Sequence, residues 1–303
     1  MAVIKVNADS EGLHLDEAAL RAALDRLAPR APVVAMVHGF RFQPDLPGQC
    51  PHEHILALHP EHPDRKAISW PRHLGFGRPD GGLGLAFGWH SRGTLWAVHA
   101  RAPQAGRALA ELVALVRRIA PERQVDVIGH SLGARVALAA LPQIEPGAVG
   151  LAILLSAAEF RGPAEAAMAT EAGRAAQVLN VTTQANRMFD FLLEALLSGG
   201  THASVSSGLS KPHPGWTDLR ADDPAAVAAL RSLGFRLGGT QAQICHWSPF
   251  LRPGLFRLYR ALLERRLPLP LLRTALTATR LETGSRFLPP AGGAGLSLPG
   301  ETA

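Results

Sequence analysis

A chain of 303 residues, of which 47% are hydrophobic, is long enough to bury the core of one α/β domain with insertions, or of two small domains. The formal net charge is +6, but the chain has no block of five or six like charges and has one tyrosine, which argues against nucleic-acid binding. Cys50 and Cys245 form neither a Cys-x-x-Cys nor a zinc-type pattern. With no apolar leader-type or membrane-spanning stretch, this cysteine usage favours a cytoplasmic protein.

Apolar periodicity predicts strands and helices that alternate along the chain, which is typical of a mainly parallel sheet with helices on both faces. Residues 41–82 and 198–224 interrupt the pattern as insertions rich in polar residues and turn formers. A glycine- and proline-rich tail is predicted from residue 283, so the α/β domain spans residues 1–282. The predicted strands cover residues 2–7, 32–37, 84–89, 125–128, 151–155, 178–183 and 241–245, and the predicted helices cover 16–27, 104–120, 132–141, 164–176, 225–233 and 253–266.

The strand predicted at 32–37 ends in His38-Gly39-Phe40, and the first insertion follows it. We interpret His38 as a loop residue that packs and hydrogen-bonds. The insertion is predicted to be irregular, with short strands at 55–58 and 67–70. Its five histidines lack a metal-ligand spacing, so we predict a solvated loop and no metal site. These histidines are His52, His54, His59, His62 and His73.

Gly129-His130-Ser131-Leu132-Gly133 lies between the strand predicted at 125–128 and an alanine-rich stretch that predicts a helix. Glycines two residues either side of a serine allow a tight turn that strains the serine and lifts its hydroxyl to the carboxyl end of a sheet. The first turn of the helix offers free N–H groups to a developing oxyanion. This context predicts a nucleophile at Ser131; the alternative is a plain strand-to-helix turn.

In its His38-Gly39-Phe40 segment and its Gly129–Gly133 turn, the chain resembles the α/β-hydrolase superfamily. The resemblance is to the bacterial members of the esterase- and lipase-like branch. The resemblance covers about residues 2–266. It implies a three-layer α/β-hydrolase fold with a mainly parallel central sheet, and it implies no cofactor. It also implies an oxyanion hole formed by the backbone N–H groups of Phe40 and Leu132.

A serine nucleophile needs a base, usually an imidazole, and a partner that fixes the imidazole tautomer. The resemblance implies the chain order serine, acid, histidine, and it places the base between the last strand and the last helix. His246 occupies that position and is the predicted base; its alternative role is packing on Trp247. His202 and His213 fall in the second insertion and are expected to be exposed.

The resemblance places the acid just after the strand predicted at 178–183. Asn186 stands where many members carry a carboxylate, so the chain departs from the common pattern there. Asp190 is the first carboxylate after the strand and is the predicted acid; its alternative role is to favour a helix dipole. Glu159 is the alternative acid, and Asp126 is expected to lie too deep to reach the base.

Two further patterns bear on the substrate. Trp70, Trp89 and Trp247 lie near predicted strand ends, where they could wall an apolar pocket or pack in the core. The helix predicted at 253–266 carries leucines on one face and is expected to pack on the sheet. Its arginines make only a weak case for contact with anionic lipid. The leucines are Leu255, Leu258, Leu262 and Leu263, and the arginines are Arg257, Arg260, Arg265 and Arg266.

The sequence therefore predicts a serine hydrolase that cleaves a small-molecule carboxylic ester through an acyl-enzyme on Ser131. An acyltransferase or a thioesterase would use the same residues with a different acceptor or leaving group. A non-catalytic binding protein on this fold is a third alternative, because a fold does not determine function.

Overall fold

A computed structural model describes residues 2–61, 68–239 and 244–285. They form a three-layer α/β fold around an eight-stranded, mainly parallel sheet. In chain order the strands are β1 (Val3–Ala8), β2 (Leu13–Leu15), β3 (Val33–Val37), β4 (Leu83–Trp89), β5 (Val125–His130), β6 (Val149–Leu155), β7 (Gln177–Thr182) and β8 (Trp216–Arg220). Their order across the sheet is β2-β1-β4-β3-β5-β6-β7-β8, and only the β1–β2 pair is antiparallel among the described residues.

Helices cover both faces of the sheet. Asp16 caps the first of them by accepting a hydrogen bond from the N–H of Ala19 at 2.8 Å, as expected for an aspartate before an amphipathic run. In chain order the helices are α1 (Glu17–Asp25), α2 (Trp70–Leu74), α3 (Leu95–Ile119), α4 (Leu132–Ala140), α5 (Arg161–Ala169), α6 (Glu171–Ala175), α7 (Arg187–Ser198), α8 (Pro224–Ser232), α9 (Ser248–Leu251), α10 (Leu255–Leu263) and α11 (Leu269–Ser285).

The continuous apolar run of β3 is explained by burial on both faces. Val33, Ala35 and Val37 join the core beneath α1, α3 and α4, whereas Val34 and Met36 join the core beneath α2, α10 and α11. Each large side chain that is fully buried contributes about 1.5–3 kcal/mol to stability. A strand that can place apolar residues in two cores is thus held at the centre of the sheet, next to β5.

Three predicted elements differ from the structure. The second insertion contains the strand β8, which pairs in register with β7. The apolar residues 55–58 form turns, and Ser69 caps the short helix α2 in place of a strand. The helix predicted at 164–176 is broken at Thr170, which caps α6 by accepting a hydrogen bond from the N–H of Gly173 at 3.0 Å. In each case a local cap or a long-range strand pairing overrides the apolar pattern.

The end of the chain differs in its boundaries. The strand predicted at 241–245 falls mostly outside the described residues, and its described part, Ile244 and Cys245, is not in a strand. The predicted helix at 253–266 is present as α10, and its four leucines are buried as expected. A further helix, α11, extends to Ser285, so the predicted tail overlaps it; residues 286–303 lie outside the described residues. Among the helices described, none is both long and apolar enough to cross a bilayer.

Candidate active site

Ser131 lies in the turn between β5 and α4, with a strained backbone. Its φ of 56° and ψ of −122° are rare for a residue with a side chain. The conformation is held by β6 and the loop after it: the N–H of Ser131 donates to the carbonyl of Leu155 at 2.9 Å, and its carbonyl accepts from the N–H of Ala158 at 3.1 Å. These two hydrogen bonds therefore fix the backbone of Ser131 in the conformation that presents its side chain.

The glycines around this turn are required by close approach of the backbone. A Cβ at Gly133 would lie 2.3 Å from the carbonyl oxygen of Val37, and one at Gly129 would lie 2.6 Å from the carbonyl oxygen of Gly133. A Cβ at Gly39 would lie 2.9 Å from the Cβ of Ser131. Since backbone atoms cannot easily move away, any larger residue would separate the loop after β3 from the serine.

The residues predicted to form the oxyanion hole, Phe40 and Leu132, line the same cavity as Ser131. Within the described residues, neither of their backbone N–H groups donates to a protein acceptor. Ser91 braces the loop that carries Phe40, because its Oγ accepts from the N–H of Phe42 at 3.0 Å and lies 2.8 Å from the carbonyl oxygen of Gly39. Both N–H groups are thus left without a protein acceptor among the residues that the structure describes.

His38 has a structural role, in agreement with its interpretation from the sequence. The N–H of Trp89 donates to Nε2 of His38 at 3.0 Å, so the ring proton is on Nδ1, which donates to the carbonyl of Gly39 at 2.9 Å. Full burial lowers the pKa of His38 to about 3. The ring is therefore neutral and links the loop after β3 to β4.

His246 lines the cavity together with Ser131. Its Nδ1 donates to Oδ1 of Asn186 at 2.6 Å, and its backbone carbonyl accepts from Nε2 of His130 at 3.0 Å. Burial, together with the neighbouring His130, lowers the pKa of His246 well below its ordinary value. The ring is neutral with the proton on Nδ1, which leaves Nε2 free to accept a proton.

The predicted direct contact between Asp190 and this imidazole is wrong, because Asn186 occupies that position. The side-chain amide of Asn186 donates through Nδ2 to Oδ1 of Asp190 at 2.8 Å, and this fixes the amide with its oxygen toward His246. Asp190 lies one helical turn further along the chain and therefore contacts the amide, not the ring. Desolvation raises the pKa of Asp190 to about 6, although hydrogen bonds from Ser206 and Asn186 oppose the shift.

The other carboxylates considered for this role have other partners. Glu159 is buried, pairs with Arg135 and accepts from the N–H of Phe160 at 2.7 Å. Asp126 lies near the start of β5, at the opposite end of the strand from Ser131, and pairs with Arg265 at 2.7 Å. Neither carboxylate lines the cavity.

The burial of the histidines in the two insertions agrees only in part with what the sequence predicted. His202 is exposed as expected, whereas His213 is partly buried. In the first insertion His52 is buried, not solvated, and its Nε2 lies 2.6 Å from Oδ1 of Asn7. Over the ranges that the structure describes, no group of three histidine, cysteine, aspartate or glutamate side chains could hold a metal ion.

The cavity has a volume of about 500 Å³ and its lining is mostly apolar; the polar side chains in the lining are those of Arg41, Ser131 and three histidines, His54, His130 and His246. Trp247 lines the cavity, while Trp70 and Trp89 lie in the core. The largest apolar contribution comes from α7, which the sequence analysis did not predict. The spacing i, i+3, i+4, i+7 could have revealed this helix, since it relates the four residues of α7 that line the cavity: Phe189, Leu192, Leu193 and Leu196.

Three solved structures are similar to this chain: an acetylxylan esterase (15% identity over 43% of this chain and 66% of that one, TM-score 0.27), a YdeN-like hydrolase from Pectobacterium atrosepticum (14%, 68% and 84%, TM-score 0.28) and a metagenomic carboxyl esterase (13%, 85% and 77%, TM-score 0.31). No curated protein matches. The family described as "Protein of unknown function (DUF726)" matches residues 93–212, a segment that contains Ser131, Asn186 and Asp190 but not His246.

Proposed function

We propose that this protein is a serine hydrolase that cleaves a carboxylic ester through an acyl-enzyme on Ser131. The observation that carries the proposal is the shared cavity: a serine on a strained strand-to-helix turn and a neutral histidine that donates its Nδ1 proton to Asn186 both line it. A base, a nucleophile and an apolar binding volume are the minimum set for acyl transfer to a serine.

In the proposed reaction, Nε2 of His246 takes the proton of the Ser131 hydroxyl as Oγ attacks the ester carbonyl. The N–H groups of Phe40 and Leu132 donate to the resulting oxyanion. His246 then returns the proton to the leaving alcohol, and the acyl group remains on Oγ. Water, deprotonated by the same histidine, attacks the acyl-enzyme and releases the carboxylic acid.

Asp190 takes part in this scheme as a positioning residue. The imidazole becomes positively charged during each proton transfer, and the amide of Asn186 has no charge with which to balance it. Asp190 accepts a hydrogen bond from the amide nitrogen of Asn186 and so holds the amide oxygen toward Nδ1 of His246. Its negative charge acts on the imidazole through the intervening amide. A buried hydrogen bond to an ionised group contributes about 1.5–3 kcal/mol, enough to affect the rate measurably.

A fluorophosphonate probe, which phosphonylates an activated serine, tests the proposal. The wild-type protein should be labelled at Ser131, and Ser131→Ala should lose all labelling while its unfolding temperature is unchanged. Ser156→Ala is a matched control, because Ser156 is also buried with a positive φ of 44°. It should retain the label.

Two results would contradict the proposal. Labelling that persists in Ser131→Ala would place the nucleophile elsewhere. A wild-type protein that is folded and takes up no probe would favour the non-catalytic binding protein.

A further inference from the structure

Helix α7 has an apolar face that the described part of the chain leaves uncovered. Residues 188, 191, 192, 195 and 196 follow the spacing i, i+3, i+4, i+7 and i+8 and are all exposed, whereas within α7 only Leu193 is buried. The exposed fraction is 63% for Phe191 and 49% for Met188. A helix of this kind packs one face against the protein and can bind another apolar surface with its exposed face.

The apolar side chains cluster. Across the described ranges, seven large hydrophobic residues are exposed, and five of them lie on α7 or at the adjoining start of α3. The indole N–H of Trp96 donates to the carbonyl of Leu196 at 2.9 Å and so joins the two helices. Single exposed apolar residues need no explanation, but a contiguous set marks a binding surface. We name this set the apolar patch; it consists of Trp96, Met188, Phe191, Leu192 and Leu196.

The apolar patch is continuous with the cavity, because Leu192 and Leu196 belong to both. A rigid protein partner, or a second copy of this chain, seated on the patch would cover the part of the cavity wall that Leu192 and Leu196 form. The acyl layer of a membrane, which is fluid, could cover the same wall and still deliver a lipid ligand to the cavity. This continuity favours a lipid surface as the occupant over a protein.

Two exposed arginines lie beside the apolar patch, whereas the acidic residues of α7, Asp190 and Glu194, are half-buried and accept hydrogen bonds from Asn186 and from the N–H of Ser204. Arg187 begins α7 next to Met188, and Arg41 lines the cavity; both are exposed. Within the parts of the chain that the structure describes, neither forms an ion pair. Each arginine near an anionic membrane contributes about 1 kcal/mol of attraction, so these two favour an anionic lipid surface.

We infer that the apolar patch binds an anionic phospholipid bilayer, with the cavity opening toward the acyl layer. Given the proposed function, on which this last step depends, the substrate is an ester carried in that layer. The lipid surface is thus α7 and not α10. The leucines of α10 are buried in the core, and Arg265, just beyond its end, pairs with Asp126.

Co-sedimentation with vesicles tests this inference on the full chain carrying Ser131→Ala, so that binding is measured without any serine chemistry. The vesicles are phosphatidylcholine alone or phosphatidylcholine mixed with phosphatidylglycerol. We expect binding to the mixed vesicles and about tenfold weaker binding after Met188→Ser with Phe191→Ser, since two exposed apolar side chains are removed. Arg187→Gln should weaken binding to the mixed vesicles about fivefold and leave binding to phosphatidylcholine unchanged.

Leu271→Ser is the matched control, because Leu271 is exposed to the same 49% as Met188 but lies on α11. It should bind as the parent does. The Met188→Ser/Phe191→Ser pair, made with Ser131 intact, should keep its unfolding temperature and its rate on a short water-soluble ester. The inference is overturned if the Ser131→Ala chain does not bind mixed vesicles, or if the serine pair binds them as well as Leu271→Ser does. Loss of probe labelling at Ser131, by contrast, would bear on the proposed function alone.

Discussion

The two halves of the candidate site are built in different ways. The nucleophile half, from Gly129 to Gly133 with the loop at Gly39, is held by backbone atoms that approach within 3 Å of where a Cβ would be. The base half, formed by Asn186, Asp190 and His246, is held by side-chain hydrogen bonds between segments about 60 residues apart. The first half depends on shape and the second on electrostatics, so substitutions in each should fail in different ways.

The largest expected effect concerns the base half. In the proposed mechanism His246 accepts the serine proton, so we expect His246→Ala to lower the rate of ester hydrolysis about 10,000-fold or more. The measurement is kcat/KM on a soluble ester together with the unfolding temperature. His202→Ala is the control histidine, exposed and away from the cavity, and it should match the wild type. If His246→Ala retained more than a tenth of the rate, His246 would not be the base.

The next effect tests the nucleophile half. Gly133→Ala would place a Cβ 2.3 Å from the carbonyl oxygen of Val37 and 2.5 Å from that of His38, so the first turn of α4 must move away from the loop after β3. We expect about a 100- to 1,000-fold loss of rate from the displaced oxyanion donors, and a lower unfolding temperature. Gly162→Ala, with no atom within 4 Å of the added Cβ, should leave both unchanged.

A smaller effect is expected at Asp190, and it should depend on pH. Since the pKa of Asp190 is about 6 and that of His246 lies well below 6.5, the rate should fall as pH drops through 6, where Asp190 is protonated and its charge is lost. Asp190→Asn should reduce kcat about 10- to 100-fold at neutral pH and move this acid limb to lower pH. A limb that stayed at the same pH in Asp190→Asn would belong to another group.

The same substitution, Asp190→Asn, should not lower the stability of the fold, although it lowers the rate. A carboxyl whose folded pKa lies above its ordinary 3.8 favours the folded state at low pH, and this contribution is lost as pH rises through about 6. Replacement by asparagine removes the cost of ionising Asp190 in the fold. Asp190→Asn should therefore unfold at the same temperature as the wild type or higher at pH 7, even though it is slower.

Exchanging the two side chains sharpens the same comparison. Asn186→Asp with Asp190→Asn would place a carboxylate directly on Nδ1 of His246 and an amide behind it. If Asp190 acts by supplying negative charge near the imidazole, the double variant should be at least as fast as the wild type, although Asp190→Asn alone is slower. A double variant as slow as Asp190→Asn would mean that Asp190 acts only through packing.

The nucleophile half could be predicted from the sequence because its parts are close together along the chain. The β-branched run, the two glycines and the alanine-rich helix are read within residues 125–141, and steric exclusion at each glycine is a local property. The strand β3 was also predicted from local sequence, since its continuous apolar run favours burial on both faces.

The base half was decided by the tertiary structure. Asn186 and Asp190 both follow β7, and residue type alone favoured the carboxylate as the partner of the imidazole. The observed partner is set by where α7 begins and by the direction in which its first turn faces, which places Asn186 on His246 and Asp190 behind it. The strand β8 was likewise decided by its long-range pairing with β7. The exposure of the apolar face of α7 depends on which helices pack on the sheet, and a local sequence pattern does not contain that information.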